Sequence, residues 1–448
     1  MNRKLPGLLF IFLMIAVAFF YQYHQIVFKR PQSVHAWRQA DGASLALNYA
    51  REGMDFFNPE VHNLTSDDGT SGKSATSEIP VLYYFVAVLY KLFGTHEFIY
   101  RLVNTVLFLI GLFCLFRAIR MYTEDLFWAF AIPLSLFASP VLVYYGNNFL
   151  SNTTALSMVF IAWYFVFRYL KFHQKKDLLW MFFFFFLGGA MKITALFSFF
   201  ALAMIFLLEW TGFFRANQPG KLFPHQRTAI TGGIVTLLPI IAWIVYARIF
   251  NENHTTTYFS TTLFPIWTLE KEGIQDIISG IRKLWLKEYF HLSFLYFLAA
   301  LAVISIIFIN KTSKFILLAI LFLVTGMGIY IILQFWTFRD HDYYTINMFI
   351  LPVFLMIAFA RILQALKISS TLKTVLKISI SIFLIFNIIY ARDTSQARYT
   401  SWKNDNFKRM RDFYTITPVL RDHGITREDT VISFSDLSHV SLYLMDQK

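Results

Sequence analysis

Eleven stretches of this chain stay apolar for close to the length that a helix needs to cross a bilayer, about 20 residues. They begin near residues 8, 99, 126, 153, 178, 193, 229, 291, 315, 346 and 378. Inside hydrocarbon every backbone polar group must find its partner within the segment, so runs of this kind fold as helices. Composition agrees: 57% of residues are hydrophobic and only 15% charged, where a soluble domain carries about 25% charged residues. Disorder is excluded, and an ordinary cytosolic enzyme is not expected. The sequence predicts an all-α polytopic membrane protein with about eleven transmembrane helices, the run 178–210 being split at GGAMK, residues 188–192.

Charge sets the expected topology. The basic start MNRK leads into a long apolar run with no small-residue cleavage site after it, which reads as an uncleaved first span. With the N-terminus on the cytoplasmic side, the inner loops are 117–125, 168–177, 209–228, 310–314 and 361–377, and each holds at least two Lys or Arg. The short outer connections 146–152 and 188–192 hold one cation between them, Lys192. An odd number of spans then places the C-terminus on the extracytoplasmic side. The net charge of +13 would suggest nucleic acid for a soluble protein. Here the cations sit between apolar runs, where they meet membrane lipid headgroups, and no nucleic-acid partner is expected. A single cysteine, Cys114, excludes an intramolecular disulfide and a cysteine-based metal site.

The polar mass lies outside, in segments 29–98, 250–290 and 391–448. Residues 1–391 are expected to form the transmembrane unit, including the outer loop 29–98, and residues 392–448 an extracytoplasmic segment. Within the first outer loop, 41–53 and 78–94 read as interfacial helices, and the polar stretch 62–77 as a flexible loop. Near the C-terminus, 400–424 reads as a helix closed by Gly424 and TVISFSD (430–436) as a strand, with a further helix starting at SLYLMDQK. Together these predict a small α/β appendage.

Two carboxylates of the outer loop are the candidate catalytic groups. Asp41, in HAWRQADG (35–42), stands where a general base could meet an acceptor hydroxyl or amine. Glu78 opens the second interfacial helix, whose N-terminus favours an anion. Both also fit the role of solvated or capping loop residues. Lys192 and Arg101 are cations at the outer rim, able to hold a lipid phosphate and stabilise it as a leaving group, or simply to snorkel. In FWTFRDHDYYTIN (335–347), Arg339, His341, Tyr343 and Tyr344 offer donors for phosphate and aromatic faces for sugar, or form an aromatic belt. A divalent metal on Asp41, His62, Asp67 and Asp68 is possible, although their spacing does not demand one. No GxxxxGK[ST], GxGxxG, HExxH or GxSxG motif occurs, which argues against an ATP-driven pump, a zincin or a serine hydrolase.

Residues 33–105 resemble a known family. HAWRQADGASLALNYAREG, then SEIPVLYYFVAVLYKLFG and EFIYRLVN, look like the first outer loop of GT-C type integral-membrane glycosyltransferases, in the branch of protein O-mannosyltransferases and lipid A aminoarabinose transferases. GGAMKITAL and RDHDYYTINMFILP match it more weakly. The resemblance implies an inverting enzyme of a bacterial inner membrane. It would move a sugar from a polyprenyl-phosphate donor to a protein, lipid or glycan acceptor at the outer face. It implies Asp41 as base or acceptor anchor and Glu78 as its acidic partner. Lys192, Arg101, Arg339, His341, Tyr343 and Tyr344 are expected at the donor phosphate or sugar, and Trp37, Arg38 and His62 at the acceptor. No cofactor beyond the possible metal is implied, since the donor bond itself supplies the energy. Two departures stand out: Gly42 where many relatives have Glu after the aspartate, and Ile79 where the aminoarabinose branch has Lys after its glutamate. The alternative is a transporter or flippase of lipid-linked sugars, which would place its ionisable groups near the midplane rather than at the rim.

Overall fold

The computed structural model describes residues 4–214, 220–259, 262–400, 410–435 and 437–447. Each of the eleven expected spans falls on a helix. In chain order these and the connecting helices are α1 (Leu5–Phe20), α2 (Ala36–Arg51), α3 (Val81–Phe93), α4 (Glu97–Thr123), α5 (Leu126–Leu136) and α6 (Pro140–Gly146). Then follow α7 (Asn152–Phe172), α8 (Lys175–Met191), α9 (Phe197–Trp210), α10 (Gln226–Asn253), α11 (Lys271–Gly280) and α12 (Leu292–Ile307). The last are α13 (Lys314–Leu333), α14 (Ile350–Ala365), α15 (Ser370–Thr400), α16 (Ile416–Asp422) and α17 (Ser438–Met445).

Among the described residues, seven helices are long and apolar enough to cross a membrane, or nine if two bent pairs each count as one span. The expected eleven included two shorter helices: α1 has 16 residues and α8 has 17. One bend has a visible cause. Between α5 and α6 the chain turns by 77°, where Ser139 is extended and Pro140 opens a new helix. Proline has no N–H for the preceding turn and favours a first helical position. The second bend, 90°, separates Lys271–Tyr289 from Leu292–Ile307.

The centre of the molecule is α7, whose residues Asn152–Trp163 are all buried between α4 and α8. The first outer loop is built onto this centre, and it differs from its expected form. α2 starts at Ala36 instead of residue 41, and all of Gln39–Ala50 is buried. It is an inner helix and not an interfacial one. Its run of Ala, Gly and Ser lets neighbours approach closely: a Cβ on Gly42 would lie 2.6 Å from the carbonyl oxygen of Phe149. The glutamate that many relatives carry at this position has no room here. α3 keeps one face on the core through Leu82, Tyr83, Val86, Ala87 and Tyr90, spaced as one side of a helix. Phe85, Leu92 and Phe93 are exposed on its other side, as expected of an interfacial helix.

Segment 62–77, expected as a flexible loop, is fastened on both sides. Val61 N–H donates to Gly72 O at 2.9 Å and Ser66 N–H to Ser71 O at 3.0 Å. Asn251 of α10 accepts from the Ala75 N–H at 2.7 Å, and His254 pairs with Asp67 at 2.9 Å. A polar composition hides such anchors, because they lie far along the chain.

Among the described residues, the C-terminal appendage is helical and holds no strand, where an α/β unit was expected. Of the expected helix 400–424, the described residues keep only a short turn at Arg411–Tyr414 and the seven-residue α16, followed by Gly424 at φ +78°, a left-handed turn that suits glycine. Residues 401–409 of that expectation lie outside the described ones. Residues 430–435 form no strand, and Phe434 is 96% exposed; residue 436 of the expected strand also lies outside. The run meets no partner strand, and a lone strand has nothing to satisfy its backbone. α15 passes unbroken through residue 391, and α17 returns to pack on α2 with His439–Met445 buried.

Candidate functional site

The site begins at the entrance to α2. His35 precedes the helix in a left-handed conformation, φ 55° and ψ 38°, uncommon for a residue with a side chain. Its Nε2 is held 3.1 Å from Asp342. One turn later, Arg38 and Asp41 project from the same face, three residues apart. Arg38 Nη1 lies 3.5 Å from Asp41 Oδ2, and its Nη2 donates to Glu78 Oε2 at 3.1 Å. Glu78 also accepts from Lys192 Nζ at 2.5 Å, from Tyr83 at 3.1 Å and from Ser151 at 3.2 Å. Lys192 stands in an extended residue after α8, and its ammonium rests 5.0 Å from the centre of the Tyr344 ring.

The result is one buried chain of charges, Asp41–Arg38–Glu78–Lys192, with Asp41 4%, Glu78 6% and Lys192 9% exposed. The Ile79 N–H donates to Ala190 O at 2.8 Å, which clamps the Glu78 turn against the end of α8. The cation beside Glu78 thus comes from residue 192, not from the next residue in sequence. Burial alone would raise the Glu78 carboxyl. The Lys192 and Arg38 charges win, and hold it down at about 2. Burial likewise opposes the charge on Asp41, yet His439, Arg38 and the Tyr258 hydroxyl keep it below the ordinary carboxylate range.

Asp41 has two further partners. Tyr258 donates to its Oδ1 at 2.8 Å and itself accepts from Trp37 Nε1 at 2.8 Å. His439 Nε2, from α17, lies 3.0 Å from the same oxygen. Beside this chain is a second network. Asp342 accepts from Tyr145 at 2.7 Å and from Arg398 at 2.7 Å, and Arg398 also donates to Glu288 at 3.0 Å. The rings of His35 and His341 stack at 5.6 Å, with the Tyr343 ring edge-on to both. Burial and the neighbouring His35 hold His341 down at about 4, so its ring is neutral near pH 7.

The sequence-predicted residues therefore divide. Asp41, Glu78, Lys192, Arg38, Trp37 and Tyr344 come together, with Tyr343 and His341 on the adjoining side. Arg101, Arg339 and His62 are not brought there. Arg101 is fully buried and donates to the carbonyls of Lys29 at 2.7 Å and Asn147 at 2.5 Å, with its guanidinium over Phe149. Its planar fork staples two loops. Arg101→Met is expected to lower stability by about 1–3 kcal/mol through stranded carbonyls. Unfolding in detergent should show the loss, while the affinity for a polyprenyl phosphate stays unchanged. Arg339 pairs with Asp276 at 3.0 Å and is 48% exposed. His62 bonds Ser44 at 2.6 Å, and burial holds its ring down at about 4.

A metal on Asp41, His62, Asp67 and Asp68 does not fit this arrangement. Among the described residues no three His, Cys, Asp or Glu side chains converge as a metal site would need. Asp67 is turned to His254, and the Asp41 oxygens already face Tyr258, His439 and Arg38. Sequence reasoning missed Tyr258, His439, Tyr83, Ser151 and the Asp342–Arg398 pair. Tyr83 and Asp342 lay inside stretches singled out by sequence, and nothing local to the others marks them.

The family model of dolichyl-phosphate-mannose-protein mannosyltransferases matches residues 77–243. Among solved structures, ArnT from Cupriavidus metallidurans bound to undecaprenyl phosphate is similar over 100% of this chain and 85% of its own, with TM-score 0.61 at 10% identity. The Archaeoglobus fulgidus oligosaccharyltransferase in its apo form is similar over 100% of this chain, with TM-score 0.60 at 12% identity. The complex of that archaeal enzyme, AglB, with an inhibitory peptide and a dolichol-phosphate gives TM-score 0.60 at 12% identity over 98% of this chain. This chain spans only 64% of the length of the archaeal enzyme in both. Comparison with curated proteins found no match. At these identities the structural likeness is one of fold. The chain thus shares its fold with ArnT and the archaeal oligosaccharyltransferase, its residues 77–243 match the mannosyltransferase family model, and its apolar helices make it a multi-pass membrane protein.

Proposed function

We propose that this protein transfers a sugar from a polyprenyl-phosphate donor to a hydroxyl or amine acceptor at the outer face of a bacterial inner membrane, with inversion. Its N-terminus is then cytoplasmic and its C-terminus extracytoplasmic. The observation that carries the reading is the charge chain itself: Lys192 Nζ 2.5 Å from Glu78, and Arg38 bridging Glu78 to Asp41. An acceptor-side carboxylate and a donor-side ammonium are thereby held at one end of a GT-C fold.

In the proposed step the acceptor attacks the anomeric carbon in line, and the bond from that carbon to the phosphate oxygen breaks. The phosphate leaves with the electron pair, and Lys192 stabilises the charge that develops on it. Glu78 keeps Lys192 aimed. Asp41 supplies the negative charge that favours loss of the acceptor's proton. A single displacement inverts the anomeric centre.

The test uses purified protein in vesicles with a labelled polyprenyl-phosphate sugar. Labelled acceptor should appear in step with free polyprenyl phosphate. Lys192→Met should weaken binding of polyprenyl phosphate about tenfold, the loss of one favourable charge contact of about 1.4 kcal/mol. Movement of intact donor between leaflets with no bond transfer would establish the flippase reading instead.

A further inference from the structure

One helix at the site has no counterpart among the recognised motifs. α17 comes from the far end of the chain, yet His439 is fully buried against Asp41. Its ring lies 5.7 Å from those of both Trp37 and Tyr258. The helix is firmly seated. Tyr443 donates to Glu97 at 2.7 Å, the Leu444 carbonyl accepts from Thr417 at 3.0 Å, and Asp446 pairs with Arg51 at 2.5 Å.

The two ring nitrogens are unequal. Nε2 faces Asp41 at 3.0 Å, off the line that a hydrogen bond prefers. Nδ1 is buried and has no hydrogen-bond partner among the described residues, and neither has Arg38 Nη1, on the other side of the same carboxylate. Buried polar groups are nearly always satisfied. His439 Nε2 has no hydrogen bond of good geometry either, and three such atoms beside one carboxylate mark surroundings where polar ligand groups belong. An imidazole kept only to neutralise Asp41 would leave no reason for its second nitrogen to stay unsatisfied.

We infer that His439 is the proton acceptor of the transfer, with Asp41 as the carboxylate that orients its ring and stabilises the imidazolium that forms. The inference rests on the transferase reading above and refines it. Asp41 holds the Nε2–H, and the lone pair of Nδ1 receives the proton of the acceptor hydroxyl or amine. The acceptor heteroatom bonds the anomeric carbon, the carbon–oxygen bond to phosphate breaks, and the polyprenyl phosphate departs with the electron pair. His439 then returns its proton to water. Access requires the acceptor to part His439 from the Trp37 and Tyr258 rings, which are only partly buried.

The experiment compares wild type with His439→Ala and His439→Gln as full-length proteins in the same vesicles. Both variants should lower kcat by about 100-fold or more, the usual share of general base catalysis, with the KM for donor unchanged. Added imidazole should restore His439→Ala at least tenfold and leave Asp41→Asn unrestored. His439→Gln keeps the side-chain volume and an amide toward Asp41, so it answers the question even if the alanine variant folds poorly. A glutamine variant within twofold of wild type overturns the inference, and so does a folded alanine variant that binds donor normally but gains nothing from imidazole. Both of those results leave the transferase reading standing. A wild type that transfers no sugar removes that reading itself.

Discussion

Asp41→Asn is expected to lower sugar transfer by about 10²–10⁴-fold while leaving the protein folded and its affinity for the donor lipid intact. The substitution keeps the shape of the side chain. Its amide oxygen can still accept from Tyr258, which donates to Oδ1 at 2.8 Å in the wild type. What disappears is the negative charge that His439 Nε2 and Arg38 face at 3.0 and 3.5 Å. Without it, nothing stabilises the positive charge that develops as the acceptor loses its proton. The folded-state carboxyl of Asp41 is depressed, so it is charged throughout the neutral range. Its contribution to stability is complete above the ordinary aspartate range and is lost only as pH falls through the depressed folded value. Wild-type transfer between pH 6 and 8 should therefore show no limb due to Asp41 itself, since its ordinary value is already near 4. Single-turnover rates with saturating donor are the measurement. An asparagine variant as fast as wild type would remove Asp41 from the chemistry.

Glu78→Ala should be the most destabilising single change at the site, by about 3–5 kcal/mol, because it strands two buried cations. Lys192 and Arg38 both lean on this carboxylate, and Tyr83 and Ser151 complete its shell. The pH dependence gives an independent figure. Glu78 sits at about 2 against an ordinary 4.5, a shift equivalent to about 3 kcal/mol. Because the folded value is the lower one, this stability is fully present above pH 4.5 and is lost as pH falls through about 2. Unfolding in detergent at neutral pH should show the loss directly. Adding Lys192→Met to Glu78→Leu should recover part of it, since an apolar pair of similar volume often replaces a buried ion pair without cost. The double variant should still fail to bind the donor phosphate. A Glu78→Ala protein as stable as wild type would mean that the Lys192 and Arg38 cations find other partners or water.

Much of the architecture was legible in the residues because its cause is local. A run of about 20 apolar residues needs a helix wherever it meets lipid, and each expected start falls on one. The same local reasoning stumbled where a contact with a distant segment decided the outcome. Residues 62–77 look like a loop by composition, but Asn251 and His254 of α10 and its end hold them. TVISF has strand chemistry, but among the described residues no strand lies beside it. α2 looks weakly amphipathic, but its small residues bury it under Tyr83, Tyr100 and Phe149.

For the site, sequence alone determined the class of protein and singled out Asp41, Glu78 and Lys192, because charges beside long apolar runs are costly and so conspicuous. It could not choose among the cations. Lys192, Arg101 and Arg339 look alike in sequence, yet one meets Glu78, one ties loop carbonyls and one pairs with Asp276 at the surface. Only the tertiary structure decided that, and only it carried His439 from the end of the chain to Asp41. The physical reason is that a charge acts over a few ångströms, and which charges come that close depends on how distant helices pack.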